Sequence, residues 1–341
     1  MFENINFAVV GATGAVGEVM LSILSERNIP SKNIFPLASN RSLGKQVDYG
    51  NTKLDVIDLE KFDFSNTQIG LFSAGAGVSE IYAPKAANTG CVVIDNTSQF
   101  RYEDNIPLVI SEVNPEKIAE YKNCGIIANP NCSTMQMLVA LKPIYDAVGI
   151  KRINVATYQA VSGAGKEMIE DLAHQTSALL NGKPVEKKGK AKQIAFNAIP
   201  HIDSFLENGS TKEEQKNHDE VKKILDSKIN ITSTCVRIPV LVSHSISVNV
   251  EFNKKHDLEE IRNVLSSSPG CKVVDEQKDG GYITPVEAED KFETFISRIR
   301  EDSSQPNSIN LWVVSDNLLK GAALNAVEIA EALVEKDFYG K

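Results

Sequence analysis

An α/β fold, with a doubly wound and mostly parallel sheet followed by a second domain, is predicted by three observations. Apolar, strand-like runs alternate with helix-like segments over the first 130 residues, the pattern of stacked βαβ units. The first run, Ile5 to Val10, leads directly into the turn Gly11-Ala12-Thr13-Gly14-Ala15-Val16-Gly17 and a helix with Val16, Val19, Met20, Ile23 and Leu24 on one face. A length of 341 residues suits two domains of ordinary size.

The glycine turn has a mechanism. Its glycines permit a tight bend and let backbone N–H groups approach a pyrophosphate at the helix N-terminus, so Gly11, Thr13, Gly14, Ala15 and Val16 are candidate contacts of a dinucleotide in a Rossmann-type domain. A plain tight turn is the alternative. The next strand, Asn33 to Ala38, ends on Ser39-Asn40-Arg41-Ser42, with no carboxylate where the ribose hydroxyl of NAD would need an acceptor. Arg41 and Ser42 suit the extra 2′-phosphate of NADP, with an exposed turn arginine as the lesser alternative.

Further strands are expected at Leu54 to Leu59, Ile69 to Ser73, Cys91 to Asp95, Leu108 to Ile110 and Gly125 to Ala128, with a helix over Val78 to Ala87. Ser73-Ala74-Gly75-Ala76-Gly77 follows a strand end, where such sheets bind ligands, so Ser73 is placed at the cofactor cleft. Asn96-Thr97-Ser98-Gln99-Phe100-Arg101 is a polar loop at another strand end; Arg101 is either an anion clamp or a solvated arginine. Cys91 and Cys124, beside apolar runs, read as core.

Gly125 to Ala128 breaks at Asn129-Pro130-Asn131 before Cys132 and a helix carrying Met137, Leu138 and Leu141. Pro130 disfavours helix at Asn129 and Asn131 is a good capping type, so Cys132 is predicted in the first helical turn. A thiol there sees the positive end of the helix dipole, and with a nearby His or cation its pKa can fall from about 8.5 to roughly 3.5–7.5. Cys132 is therefore the candidate nucleophile. A small core residue is the ordinary alternative.

Beyond this helix, Ile153 to Val161 reads as a strand containing Gln159, followed by Ser162-Gly163-Ala164-Gly165 and a helix to about Leu180. Asn181 to Ala191, rich in Lys and Gly, reads as a surface excursion. Lys212 to Ser227 is a charged helix on which Glu220 and Lys223 share a face, the usual spacing of a solvated ion pair. Thr232 to Phe252 is a strand region holding Arg237 and His244. Their odd spacing puts them on opposite faces of an unbroken strand, so service to one site requires a break, which Pro239 would supply. Ile309 to Val314 is a strand, Ser315-Asp316-Asn317 a turn, and Leu319 to Val334 a helix. His174, His201, His218 and His256 have no metal-ligand spacing and read as structural or exposed.

Composition limits the partners. Hydrophobic content of 42% and charged content of 24% are those of a globular protein, and no apolar run approaches the ~18–20 residues of a membrane span. Five widely spaced cysteines without a C-x-x-C pair suggest neither a disulfide framework nor a zinc site, and no metal is expected. A net charge of -9 argues against a general nucleic-acid binder. The N-terminal strand lacks the features of a signal peptide, and a cytoplasmic protein is expected.

Taken together, these residues resemble the aspartate-β-semialdehyde dehydrogenase family. The matching pieces are GATGAVG at 11–17, SNRS at 39–42, NTSQFR at 96–101, NPNCSTMQ at 129–136, YQAVSGAG at 158–165, EVKK at 220–223, RIPVLVSHS at 237–245 and DNLLKGAALNA at 316–326. The resemblance implies Cys132 as nucleophile, Gln159 as its substrate-positioning neighbour and His244 as general acid/base. It implies Arg237 and Glu220 for the substrate's carboxylate and amino group, and Arg101 and Lys223 for phosphate. Thr13 to Val16, Arg41, Ser42, the Ser162-Gly163 turn and Asn317 would contact NADP. It further implies lysine, threonine and methionine biosynthesis and a homodimer built through an α+β catalytic and dimerisation domain at 131–316. The NADP-binding domain, 1–130 with 317–341, is then discontinuous. Ile246 departs from the glutamate common in the family after His-Ser, which bears on the support of His244.

An N-acetylglutamyl-phosphate reductase shares the implied fold and thiol chemistry, but a carboxylate at Glu220 suits a free ammonium better than an acetylated amine. An NADP sensor without turnover would not need Cys132, Gln159 and His244 together. A short-chain reductase is disfavoured because the Tyr-x-x-x-Lys pair Tyr49 and Lys53 spans a Gly-Asn turn.

Overall fold

The computed structural model describes Phe2, residues 4–185 and residues 192–335. Two compact units are present, Met1–Asn131 with Ala322–Lys341, and Cys132–Gly321. The C-terminal crossing thus follows Gly321, where 316/317 was expected.

The first unit contains β1 (Phe7–Val10), α1 (Ala15–Glu26), β2 (Ile34–Ala38), β3 (Gln46–Tyr49), β4 (Thr52–Asp55), β5 (Ile57–Asp58), β6 (Ile69–Phe72), α2 (Ala76–Ala87), β7 (Val92–Asp95) and β8 (Ile126–Ala128). Six strands in the order β5-β2-β1-β6-β7-β8 form an all-parallel sheet. The central strands are buried along their whole length, as expected of a parallel sheet covered on both faces. The order reverses between β1 and β6, and sheets of this kind bind ligands at that switch point. There Gly11 has φ +91°, and a Cβ on it would lie 2.9 Å from the Ala74 backbone nitrogen. A Cβ on Gly17 would stand 2.2 Å from the Gly11 carbonyl oxygen, so a larger residue would push α1 off β1.

Three sequence expectations change here. Leu54 to Leu59 is not one strand: Thr52–Asp55 pairs with Gln46–Tyr49 as an antiparallel hairpin, and Ile57–Asp58 alone joins the parallel sheet. The polar Thr52, Lys53 and Asp55 keep β4 largely exposed, which suits a hairpin and not a buried central strand. Leu108 to Ile110 makes only an isolated bridge, Leu108 to Ala128. The side-chain amides of Asn114 and Asn325 donate to the Leu108 and Val109 carbonyls, each at 2.9 Å, in place of a ladder. Cys91 is buried, but Cys124 is only half-buried, because it ends the 3₁₀ stretch Pro115–Asn123 outside the apolar run.

The C-terminal helix is α-helical over Leu324–Glu335, preceded by a π-helical turn at Leu319–Ala323 where an ordinary helix start was expected. The Gly321 N–H donates to the Asp316 carbonyl, five residues back, the bond that defines such a turn. The helix joins the first unit through Asn325, whose side chain bonds Asn129, Val109 and Ser111.

The second unit contains α3 (Cys132–Val148), β9 (Ile150–Gln159), α4 (Lys166–Leu180), α5 (Lys212–Ile224), β10 (Asn230–Arg237), β11 (His244–Phe252), α6 (Leu258–Ser267), β12 (Cys271–Val273), α7 (Pro285–Ala288), β13 (Thr294–Glu301) and β14 (Ser308–Ser315). Its mixed six-stranded sheet runs β10-β9-β11-β14-β13-β12, with α3 packed across β9, β11, β13 and β14, and α5 on β10 and α3. Pro143 lies inside α3 and has no N–H for the Val139 carbonyl. The Cys271 thiol donates to that oxygen at 3.3 Å. Residues 186–191 of the expected surface excursion lie outside the described residues. Among the described residues no helix is long and apolar enough to cross a membrane.

Candidate active site

Sheet register assembles the site. Parallel pairing of β10 with β9 sets Arg237 opposite Gln159. Antiparallel pairing of β11 sets His244 opposite Ser315 and Ser245 opposite Tyr158. The ends of β9, β10 and β14 and the start of β11 therefore share one edge of the sheet, and Gln159, Arg237 and His244 are all buried there. The strand region expected at 232–252 does break, at 238–243 with Pro239 inside the gap. That break removes the opposite-face problem of an odd spacing.

His244 is fully buried. Its Nδ1 accepts the Ala160 backbone N–H at 3.0 Å, so the neutral ring carries its hydrogen on Nε2. Nε2 has no hydrogen-bond partner among the described residues. Burial, and then the Arg237 charge, push the imidazole pKa from 6.5 down to about 3, against the opposing pull of Glu213 and a backbone hydrogen bond at Ser243. The backbone carbonyl of His244 accepts from Gln136 Nε2 at 3.1 Å. Ile246, the departure noted above, lies two residues along the same strand face in the apolar core. Support for His244 thus comes from Ala160 and Gln136.

Arg237 Nη1 donates to the Ala160 carbonyl at 2.6 Å, so one residue, Ala160, orients both His244 and Arg237. Burial lowers the Arg237 pKa, and the charges of Cys132, Glu213 and Cys235 act in the opposite sense. Cys132 is the first residue of α3 and is partly exposed. A Cβ on Gly321 would lie 2.8 Å from the Cys132 Cβ; only a residue without a side chain lets the turn pass the thiol so closely. Gly163 covers the other two groups, since its Cβ would stand 3.3 Å from Arg237 Nη1 and from His244 Nε2.

Asn317 is buried. Its Oδ1 accepts the Ser243 N–H at 2.9 Å, and its amide exchanges hydrogen bonds of 3.0 and 3.1 Å with the Ser162 hydroxyl. Ser243, immediately before His244, has φ +73°, a conformation unfavourable for a non-glycine residue. The carboxamide expected at the cofactor thus fastens the Ser162-Gly163 turn to the residue preceding His244.

Helix α5 turns a polar face inward. Glu213, Asn217 and Glu220 are buried along it, whereas Lys223 is exposed. Full burial of Glu220 excludes a solvated pair as its explanation. Glu213, not among the residues expected at the site, accepts from Gln159 Nε2 at 3.1 Å. The signal available was its i, i+4, i+7 alignment with Asn217 and Glu220.

In the nucleotide-type unit, Gly14 at the N-cap of α1 makes no side-chain cap bond, and the first N–H groups of a helix have no intrahelical partners. The donors and the glycine backbone fit the pyrophosphate of a nicotinamide dinucleotide. Arg41 is exposed on the 3₁₀ turn Asn40–Ser42, and the Thr13 and Ser42 hydroxyls are 3.5 Å apart. Ser73 donates to the Val10 carbonyl at 3.2 Å, placing it at the switch point. Arg101 is buried and donates to Asn96 O at 2.8 Å, in a loop pinned by hydrogen bonds from Thr97 to Asp95. No group of three or more His, Cys, Asp or Glu placed to hold a metal occurs among the described residues.

Comparison with known proteins agrees with this architecture domain by domain. Residues 6–121 match the family of semialdehyde dehydrogenase NAD binding domains, and residues 141–320 the semialdehyde dehydrogenase dimerisation domain. The aspartate-semialdehyde dehydrogenase of Shewanella violacea is 53% identical over 341 residues, covering 99% of this chain and 100% of that protein. The crystal structure of aspartate semialdehyde dehydrogenase II from Vibrio cholerae has a TM-score of 0.95 at 52% identity and covers 99% of this chain and 100% of its own. The same values hold for that enzyme complexed with ASA. Similarity of this extent, spanning both units and the buried sheet edge between Cys132 and Asn317, shows that the chain belongs to the aspartate-semialdehyde dehydrogenase family.

Proposed function

We propose that the protein catalyses the reversible NADPH-dependent reductive dephosphorylation of L-4-aspartyl phosphate to L-aspartate 4-semialdehyde, in lysine, threonine and methionine biosynthesis. The observation that carries this reading is the sheet edge on which Gln159, Arg237 and His244 converge, with Arg237 in the field of Cys132. In the oxidative direction the Cys132 thiolate adds to the aldehyde carbon, forming a C–S bond and leaving the carbonyl π pair on oxygen. His244 holds that oxyanion through Nε2–H. A nicotinamide dinucleotide held by the glycine turn at 11–16 with Arg41 and Ser42 would supply the hydride acceptor, and loss of hydride from the adduct would leave a thioester on Cys132. A phosphate oxygen then attacks the thioester carbon, and the Cys132 thiolate leaves.

This scheme modifies the role expected of His244. Addition, hydride loss and thiolate departure balance without removing a hydroxyl proton, so a neutral donor suffices. Nδ1 is already occupied by the Ala160 N–H, which supports His244 as a hydrogen-bond donor to the oxyanion and not as its base. Arg237 keeps Nη2 and Nε donors for the substrate carboxylate, Glu220 faces the α-ammonium, and Arg101 and Lys223 serve phosphate.

NADP in preference to NAD is the reading supported by Arg41, Ser42 and the lack of a carboxylate after β2. Combining Arg41→Glu with Ser42→Asp is expected to shift the NADP-to-NAD ratio of kcat/KM by about 100-fold toward NAD. An unchanged ratio would remove both residues from the cofactor site. A homodimer is supported by the match to a dimerisation domain and by a half-buried sheet face bearing Ala156, Tyr158, Ser247, Asn249 and Trp312, with the Tyr158 and Trp312 rings 5.7 Å apart. A cytoplasmic location fits such small-molecule chemistry.

The deciding experiment follows NADP reduction by near-ultraviolet absorbance with phosphate present or omitted, comparing aspartate semialdehyde with N-acetylglutamate semialdehyde. Phosphate-dependent turnover of the first alone is expected. Turnover of the second alone would keep the thiol chemistry and overturn the substrate, and none with either would leave a nucleotide-binding protein without turnover.

A further inference from the structure

Glu213 is a carboxylate with little access to water, an arrangement that is unfavourable unless its oxygens are bonded. Oε1 accepts from Gln159 Nε2 at 3.1 Å, and Oε2 accepts from Lys216 Nζ at 3.0 Å. Lys216 in turn reaches Asp203 at 3.0 Å. As the second residue of α5, Glu213 also sits at the positive end of that helix. Its other effect is electrostatic: its charge acts on both Arg237 and His244.

A glutamine amide can usually be turned over, exchanging its oxygen for its nitrogen. At Gln159 the exchange is opposed by Glu213. Ionised, it can only accept, so it must face Nε2, and the Thr157 hydroxyl, which can donate or accept, then donates to Oε1 at 2.9 Å. One N–H of the amide is thereby committed, and the direction in which the other points is determined. We propose that Glu213 is a positioning residue, which locks the Gln159 amide so that an N–H donor, and not the carbonyl oxygen, faces the reacting carbonyl. The inference rests on the assignment of Gln159 to the substrate site and extends it to a residue with no contact of its own with substrate.

Replacement by glutamine removes the discrimination, because an amide at 213 offers a donor as readily as an acceptor and lets Gln159 turn over. Glu213→Gln is expected to lower kcat for aspartate semialdehyde by roughly 10- to 100-fold while leaving KM for NADP unchanged. The decisive readout is a double-mutant cycle with Gln159→Met. If Glu213 acts through Gln159, adding Glu213→Gln to Gln159→Met costs less than about threefold. The same loss in both backgrounds would overturn the proposal and assign Glu213 a direct electrostatic or structural role. Full activity of Gln159→Met by itself would instead refute the placement of Gln159, a distinguishable failure. If Glu213→Gln does not fold, as judged by circular dichroism, Thr157→Val removes the bond that holds Oε1 in the orientation Glu213 sets. It should show the same non-additivity with Gln159→Met; additivity there counts equally against the lock.

Discussion

Cys132→Ala is expected to abolish phosphate-dependent hydride transfer, with a loss of about 10⁴-fold or more, and to leave NADP affinity within about twofold. The magnitude follows from covalent catalysis, in which removal of the nucleophile forfeits the whole acyl-enzyme route and not one interaction within it. Unaltered nucleotide affinity follows from the fold: the glycine turn and the Arg41 turn belong to one compact unit, whereas Cys132 begins the other. Alanine also keeps the Cβ atom past which Gly321 packs, so that close passage is retained. Rapid-mixing absorbance and nucleotide fluorescence titration check the two halves. Equal loss of turnover and binding would mean that Cys132 is structural.

Much of this arrangement was legible from local chemistry. Gly11 and Gly17 announce a βα turn because no other residue fits the backbone approaches found there, and Asn-Pro-Asn places Cys132 at a helix start through effects confined to a few residues. The break between Arg237 and His244 was readable from parity and one proline. What escaped was set by partners distant in sequence. Leu108 to Ile110 is apolar enough for a strand, yet Asn114 and Asn325 take the carbonyl bonds that a neighbouring strand would have taken. Glu213 resembles any acid in a helical first turn until Gln159 is found against it, 54 positions away. The resemblance gave Asn317 a cofactor role, and only the fold reveals its bonds to Ser162 and Ser243. Side chains that act on other side chains leave little local signature, because their chemistry depends on what folding brings beside them.

His244→Asn is expected to lower kcat by about 10²–10³-fold, the usual effect of removing one oxyanion donor, without changing the acid limb of the pH profile. The sign follows from the environment. With its pKa pushed from 6.5 to about 3, the imidazole of the native protein stays neutral at every pH above about 4, so its titration contributes no fall in rate near pH 6.5. Wild type and variant should therefore give kcat/KM profiles of the same shape between about pH 5 and 9, offset by a constant factor. A base titrating near 6.5 would behave differently: wild-type activity would drop about tenfold per pH unit below that value, and the variant would flatten, which would overturn the donor role. Unfolding gives an independent check. Between pH 6.5 and about 3 the unfolded chain binds a proton at His244 that the native ring refuses, so stability contributed by this group declines as pH falls through that window. The asparagine variant lacks the titration, and its denaturation midpoint should fall less steeply with acidification than that of the wild type. Together the two slopes separate a buried neutral donor from a titrating base.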